Sequence, residues 1–440
     1  MLLVKKIIFF ILISFASFCY GSLLCDEESE IFLTDIVNEL KGALKYKQKI
    51  NIYILNDKTL NAAATENGDI VVNAGAIINC KDVKELIAIL AHEVSHISGC
   101  HIANFSSHIN TFSKAGLVPA VIGAIASVVA ANPAPLMFGA MTGETVTQKL
   151  AFSNLRQKEN IADTKAVEAV TILGWPVMEG YVTLYEKFES QSIMYNEYFS
   201  THPLSSSRLS KAKNAAQKEK QKNFSTESQN KIKHLEERFK VIKEKIKALT
   251  LSPEESFQLY NKTNANEYAK AISLYINKKY TDSIGICDKL LKNSPTNFIH
   301  IAEIKCLNMI ATNQTKEAQT FAYKTLQNSK RHYRDLGMIF AETIIQNNNT
   351  KLLKFAISYI EKLSNIYSDD PSIINMLGNL YSISKEDDKS SLCLAKTYMM
   401  IGDIETAKVH ANKTLKSPKS QIKQQAMDIL NEISQMQQAA

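Results

Sequence analysis

Apolar positions change register along this chain, and the changes mark its parts. Residues 7–18 form a predominantly apolar run behind Lys5 and Lys6, followed by Cys19-Tyr20-Gly21 and the acidic Asp26-Glu27-Glu28. A basic start, about 12 apolar residues and a small-residue exit predict a secretory signal peptide over 1–21, since so short a run suits export better than an uncleaved membrane anchor. Residues 30–210 mix strand-like and helical segments. Leu86, Ile87, Leu90, Ala91, Val94 and Ile97 trace one helical stripe, which Asp82 and Glu85 open as a capping pair. Gln148 to Leu173 predicts a second helix, closed by Gly174-Trp175-Pro176. From 211 to 250 a Lys/Glu/Gln-rich segment carries Ile232, Leu235, Phe239, Ile242, Ile246 and Leu249 at helical spacing, which reads as a linker helix with a solvated charged face. From about 255 onward the period is helical throughout, punctuated by Pro295, Pro371 and Pro418.

Composition narrows the class. Of 440 residues, 45% are hydrophobic and 22% charged, which excludes intrinsic disorder and makes two or three domains the expectation. The 51 basic and 44 acidic residues are well mixed, so no nucleic-acid-binding stripe is present. Export would leave Cys25, Cys80, Cys100, Cys287, Cys306 and Cys393 in an oxidising space, where disulfides are permitted but cannot be paired from spacing. In the helical half, Ala395, Tyr398, Gly402, Ala407 and Ala411 before Pro418 resemble a tetratricopeptide repeat, in which small residues let two helices pack closely. Tyr275 to Pro295 fits the same register less well, and 298–328 and 332–364 read as degenerate helix pairs.

Chemistry concentrates in His92-Glu93-Val94-Ser95-His96. Two histidines four apart on a helix are rotated by only about 40°, so both imidazoles reach one ion, while Glu93 stands beside it as a base for water. A catalytic metal needs a third protein ligand. His101 lies about 180° around the helix from His92 and is a poor one. The second helix offers Glu159 and Asp163 on one face, with Ala162 and Ala166 small enough for close approach. Glu159 can therefore be the third ligand while Asp163 orients an imidazole.

HExxH, then Glu159-Asn160-Ile161-Ala162-Asp163, then Ser200-Thr201-His202-Pro203 followed by Arg208, resembles the zinc metallopeptidase family that includes the CAAX prenyl protease and HtpX. The segment Asn61-Ala62-Ala63-Ala64 through Asp69-Ile70-Val71-Val72-Asn73 is similar to that family's strand pair before the motif, although Thr65-Glu66-Asn67-Gly68 replaces a turn usually richer in Gly and Pro. With its signal peptide and repeat domain the chain is most similar to the family's periplasmic BepA-type members, which assist outer-membrane protein assembly and quality control. The resemblance implies one zinc per chain held by His92, His96 and Glu159, Glu93 as general base, and Asp163 near the site as an orienting or proton-donating group. It also implies that His202, with Arg208, lies near the zinc, binding the oxyanion or filling the open position at rest. Its clients would be unfolded or misassembled proteins, outer-membrane proteins and their assembly machinery among them. As an edge strand, Ile70 to Asn73 would accept an extended peptide beside the metal.

Residues 115–143 carry no charge until Glu144, but Pro119, Pro133 and Pro135 interrupt them, which favours a hairpin flanking the site or leaning on lipid over a true span. The expectation is an α+β, mainly helical protein: a signal peptide at 1–21, a gluzincin-like metallopeptidase domain at 22–210, a charged helical linker at 211–254 and an all-α tetratricopeptide-like domain at 255–440. It would be a periplasmic zinc metalloendopeptidase. The competing expectation is a non-proteolytic chaperone or assembly factor with an idle or structural zinc site.

Overall fold

The computed structural model describes residues 19–20, 23–65, 67–99, 146–190, 202, 206–261, 266–293 and 298–439. Most of the expected signal peptide, Cys100, His101, the segment 115–143, Thr201, Pro203 and Pro295 lie outside them. The protein is mainly helical with one small sheet, and its described residues fall into a unit ending at Ser256 and a unit starting at Phe257. No described helix is long and apolar enough to cross a membrane.

Unit 1 begins with β1 (Cys19–Tyr20), β2 (Leu23–Leu24), α1 (Glu27–Ala43), β3 (Ile52–Leu55), β4 (Ala62–Ala64) and β5 (Ile70–Asn73). The sheet runs β1-β2-β3-β5-β4; β3 and β5 are parallel and the other pairs antiparallel. Ile70–Asn73 is therefore not the edge strand that the sequence led us to expect. Ile52–Leu55, an unanticipated strand, covers one side of it, and the outer strand is Ala62–Ala64. The burial pattern agrees: all four residues of β5 are buried, as in an interior strand covered on both faces.

Helices α2 (Ala74–Asn79), α3 (Val83–Ser98), α4 (Val146–Ile172), α5 (Met178–Ser190), α6 (Ser206–Lys220) and α7 (Thr226–Thr250) complete unit 1. Asp82 caps α3, its carboxylate accepting from the Lys84 and Glu85 amides at 3.0 and 3.2 Å. Glu85 completes the turn differently from a reciprocal box, taking the Lys81 amide at 2.8 Å and the Lys187 ammonium at 2.6 Å. Almost every residue of α3 is buried, which is the signature of a central helix rather than a surface one. Gly180 lets α5 lie on the first turn of α3: a Cβ there would come within 2.4 Å of the Lys84 carbonyl carbon.

The segment read as a linker belongs to this core. Ile232, Leu235, Phe239, Ile242 and Ile246 of α7 pack into the same apolar cluster as α1 and α3. Lys245, 2% exposed, pairs there with Asp26 and with Glu28, the latter at 2.9 Å. The charged face is thus solvated only in part, because one of its lysines finds two buried carboxylates. None of the permitted disulfides forms among Cys25, Cys80, Cys287, Cys306 and Cys393.

Past α8 (Pro253–Asn261), which spans the boundary, unit 2 is a succession of helix pairs: α9 (Glu267–Ile276) with α10 (Tyr280–Asn293), α11 (Phe298–Ala311) with α12 (Thr315–Gln327), α13 (Arg334–Asn347) with α14 (Thr350–Ile366), α15 (Pro371–Ile383) with α16 (Asp387–Met400), and α17 (Ile404–Thr414) with α18 (Ser420–Ala439). Connections of a few residues force neighbours antiparallel. Ala395, Ala407 and Ala411 are fully buried, and Gly402 turns the chain at φ 82°, as the tetratricopeptide-like pattern requires. Pro371 starts α15 where its missing amide costs nothing, with Asp370 capping the Ser372 amide at 2.9 Å.

Candidate metal centre

Two helices bring the site together. His92 and Glu93 lie on α3 at 2% and 0% exposure, and Glu159 and Asp163 lie on the facing stretch of α4. Ala162, Ala166 and Ala169 are fully buried along that stretch, so α4 approaches α3 without side-chain bulk in the way. Gly174, at φ 63°, ends α4, and the Trp175 amide returns to the Val170 carbonyl at 3.0 Å. His202 and Arg208, the latter on α6, enter from later in the chain and are also buried.

His92, His96, Glu159 and His202 each turn one donor atom toward a common point, all within 4.8 Å of one another. His92 Nε2 stands 3.0 Å from His96 Nε2, 3.2 Å from His202 Nδ1 and 3.2 Å from Glu159 Oε2. His96 Nε2 lies 3.3 Å from Glu159 Oε1, and His202 Nδ1 3.2 Å from Glu159 Oε2. Ligands about 2.0–2.1 Å from a tetrahedral ion stand roughly 3.3 Å apart. Three imidazoles and a carboxylate at that spacing fit a small divalent cation.

Around the four donors, the remaining side chains fix orientation. Asp163 Oδ1 is 3.0 Å from His92 Nδ1, which leaves Nε2 for the common point. Arg208 grips Asp163 with Nε at 2.7 Å and Nη2 at 2.8 Å, and its Nη1 reaches Glu159 Oε2 at 3.1 Å. Burial pushes both carboxyls up, yet the neighbouring histidines and, for Asp163, Arg208 hold them well below the usual carboxylate range. For His92, burial opposes the charged form, but Glu159 and Asp163 outweigh it and lift the imidazole to about 10. Burial lowers His96 instead.

Glu93 occupies the seam between the cluster and the sheet. Its Oε2 accepts from the Ala64 amide at 2.9 Å, and its Oε1 is 3.5 Å from His202 Nε2. The Asn73 amide bonds to the Asn61 carbonyl and the Thr65 amide to the Asp69 carbonyl, which places Ala62 and Ala64 at positions whose amides face away from β5, toward the outer edge. Every site residue expected from the sequence is therefore in or beside one cluster. Tyr185, whose hydroxyl donates to Asp163 Oδ1 at 2.9 Å, was not anticipated. Its position on the buried stripe Tyr181, Leu184, Tyr185 and Phe188 was a signal, since a buried tyrosine hydroxyl needs a partner.

Residues 30–216 match peptidase family M48. The chain is 24% identical over 398 residues to the beta-barrel assembly-enhancing protease of Yersinia pestis, covering 85% of this chain and 77% of that protein. It is 26% identical over 194 residues to the protein of the same name from Escherichia coli K12, covering 42% of this chain and 39% of that one. A thermophilic TPR protein of known structure from Thermus thermophilus aligns over 42% of this chain and 98% of its own, at 15% identity and a TM-score of 0.25.

Proposed function

We propose that this chain, whose residues 30–216 carry a peptidase family M48 domain, is an exported zinc-dependent endopeptidase that cleaves unfolded or misassembled envelope proteins recruited by its helical repeats. The observation that carries this reading is the place of Glu93, fully buried between the outer strand β4 and the four converging donors. His92, His96 and Glu159 would hold one zinc per chain. When bound, a divalent ion supplies Lewis-acid chemistry, acidifying water and polarising a carbonyl. Glu93 is the base that takes the water proton and then delivers it to the leaving amine. An extended segment pairing along the outer edge of β4 brings its backbone to Glu93, a mode that selects unfolded chains. His202 moves off the cluster to admit that segment, and its ring N–H then meets the oxyanion. Arg208 and Asp163 hold Glu159 and His92 in place throughout.

The shared name of the relatives, beta-barrel assembly-enhancing protease, supports β-barrel proteins and their assembly machinery as clients and partners. The basic start and apolar run of residues 1–21 support export to the periplasm. One observation favours a second reading, a chaperone or assembly factor with a structural metal: His202 completes a four-donor set, the closed arrangement of structural zinc sites. Zinc content and casein cleavage of wild type and Glu93→Gln separate the two. One zinc in each with cleavage only in wild type supports the protease. One zinc in each without cleavage, with client stabilisation intact, supports the holdase.

A further inference from the structure

We propose that Tyr185 is a positioning residue of the metal centre: its hydroxyl fixes the Asp163 carboxylate, and through it the His92 ring, so that metal affinity depends on a group that touches no ligand. This rests on reading the His92, His96, Glu159 and His202 cluster as a metal site. Tyr185 is 4% exposed and lies on α5, a different helix from His92, Asp163 and Arg208. Its hydroxyl donates to Asp163 Oδ1 at 2.9 Å and accepts from Arg208 Nη2 at 3.1 Å, while the guanidinium carbon sits 5.2 Å from the centre of its ring.

The geometry gives the hydroxyl a task that a phenyl ring cannot perform. Arg208 alone holds Asp163 through one planar fork, about which a carboxylate can still pivot. A third donor arriving from α5 removes that freedom. Oδ1 is the atom that matters, because it also lies 3.0 Å from His92 Nδ1, an ion-pair contact on the ring nitrogen that is not turned to the other donors. Burial pushes the Tyr185 hydroxyl up, so it keeps its proton and stays a donor. The same helix supplies a control. Tyr181, one turn earlier, is 2% exposed, and its hydroxyl has no hydrogen-bond partner among the described residues.

The test is a Co2+ titration of the full chain, read by visible d–d absorption against a competing chelator, for wild type, Tyr185→Phe and Tyr181→Phe. Loss of an outer-shell partner typically costs about 10- to 100-fold in metal affinity. Tyr185→Phe is expected to weaken Co2+ by that factor and to shift the d–d bands, with Tyr181→Phe matching wild type. Equal affinity and spectrum for wild type and Tyr185→Phe would overturn the proposal, even if the melting temperature falls. Equal weakening in both variants would overturn it too, by assigning the effect to core packing. If Tyr185→Phe does not fold, 3-fluorotyrosine at 185 keeps ring and hydroxyl but alters donor strength, and an unchanged spectrum then refutes the role. Wild type that binds no Co2+ removes the metal-site reading itself, a result distinct from any of these.

Discussion

Buried polar groups are arranged in opposite ways in the two units. In unit 1 they converge: His92, Glu93, Glu159, Asp163, His202 and Arg208 are all under 9% exposed and share partners. In unit 2 they are scattered along the helices, and the bonds they make are local ones. Ser283 Oγ donates to the Ala271 carbonyl at 2.8 Å, Asn308 Nδ2 to the Ile304 carbonyl at 2.7 Å, and Gln319 Nε2 to the Thr343 carbonyl at 3.0 Å. Each such bond joins a helix to itself or to its neighbour, so it stitches a stack and does no more. Convergence puts several charges at stake when one residue is lost, whereas dispersal confines a loss to one helix pair. The difference teaches where chemistry can reside, since among the described residues the buried group of His and carboxylate side chains that shares one point lies in unit 1.

Removing the proposed base from the convergent site is the sharpest test of that contrast. Glu93→Gln keeps the volume and the Ala64 contact while ending proton transfer, so cleavage of an unfolded client should fall by at least about 10²- to 10⁴-fold with zinc content unchanged. Loss of zinc in this variant would mean that Glu93 is holding the metal rather than serving as base.

Arg208 carries the next largest effect. Arg208→Ala would leave Glu159 and Asp163 without their shared cation in a dry site, which should cost about 3–5 kcal/mol, measured by denaturant unfolding. A cost below about 1 kcal/mol would show that the cluster is less collective than its contacts indicate. For unit 2 the matching perturbation is steric. A Cβ on Gly337 would meet the Tyr359 ring at 2.5 Å, so Gly337→Ala should destabilise by about 1–3 kcal/mol while metal content stays at the wild-type value.

The pH dependence of metal loading probes the same convergence. In the metal-free protein His92 is raised to about 10, so at pH 7 it holds a proton that an incoming cation must displace. Affinity should therefore rise about tenfold per pH unit toward 10 and fall by the same factor on acidification. Calorimetry in buffers of different ionisation enthalpy should count about one proton released per metal at pH 7. No proton release would mean that Asp163 and Glu159 do not hold His92 charged.

How far the sequence could be read follows the same division. Convergence at the candidate metal centre was legible because helix spacing fixes it: positions 92 and 96 share a face of one helix, and 159 and 163 share a face of another. His202 and Arg208 were accessible only through a family likeness, since nothing local brings a loop histidine across 110 residues to His92. Strand order was misjudged because Ile52–Leu55 carries no motif, and which strand lies outermost depends on a long-range parallel pairing. A linker helix with a solvated charged face is the natural reading of residues 211–254, because composition cannot reveal that Lys245 meets Asp26 and Glu28 in the core. In unit 2 the buried alanines near Ala395 and Ala407 were visible as small residues, because close helix packing leaves a mark in residue size.

The smallest effect is expected where neither arrangement applies. Gly285 is exposed in the middle of α10, and a Cβ built there would have nothing within 4 Å. Alanine would touch no neighbour, and its effect would come from the unfolded chain, which loses conformational freedom, together with better helix propensity. Gly285→Ala should therefore stabilise unit 2 by about 0.4–1 kcal/mol, measured by thermal or denaturant unfolding of the full chain, with cleavage and metal content unchanged. The substitution is the same as at Gly337 and the sign is opposite, because one glycine faces solvent and the other faces the Tyr359 ring. Destabilisation at 285 would mean that this face of α10 is covered by a partner. In that case the exposed side of unit 2, and not only its core, would be constrained by packing.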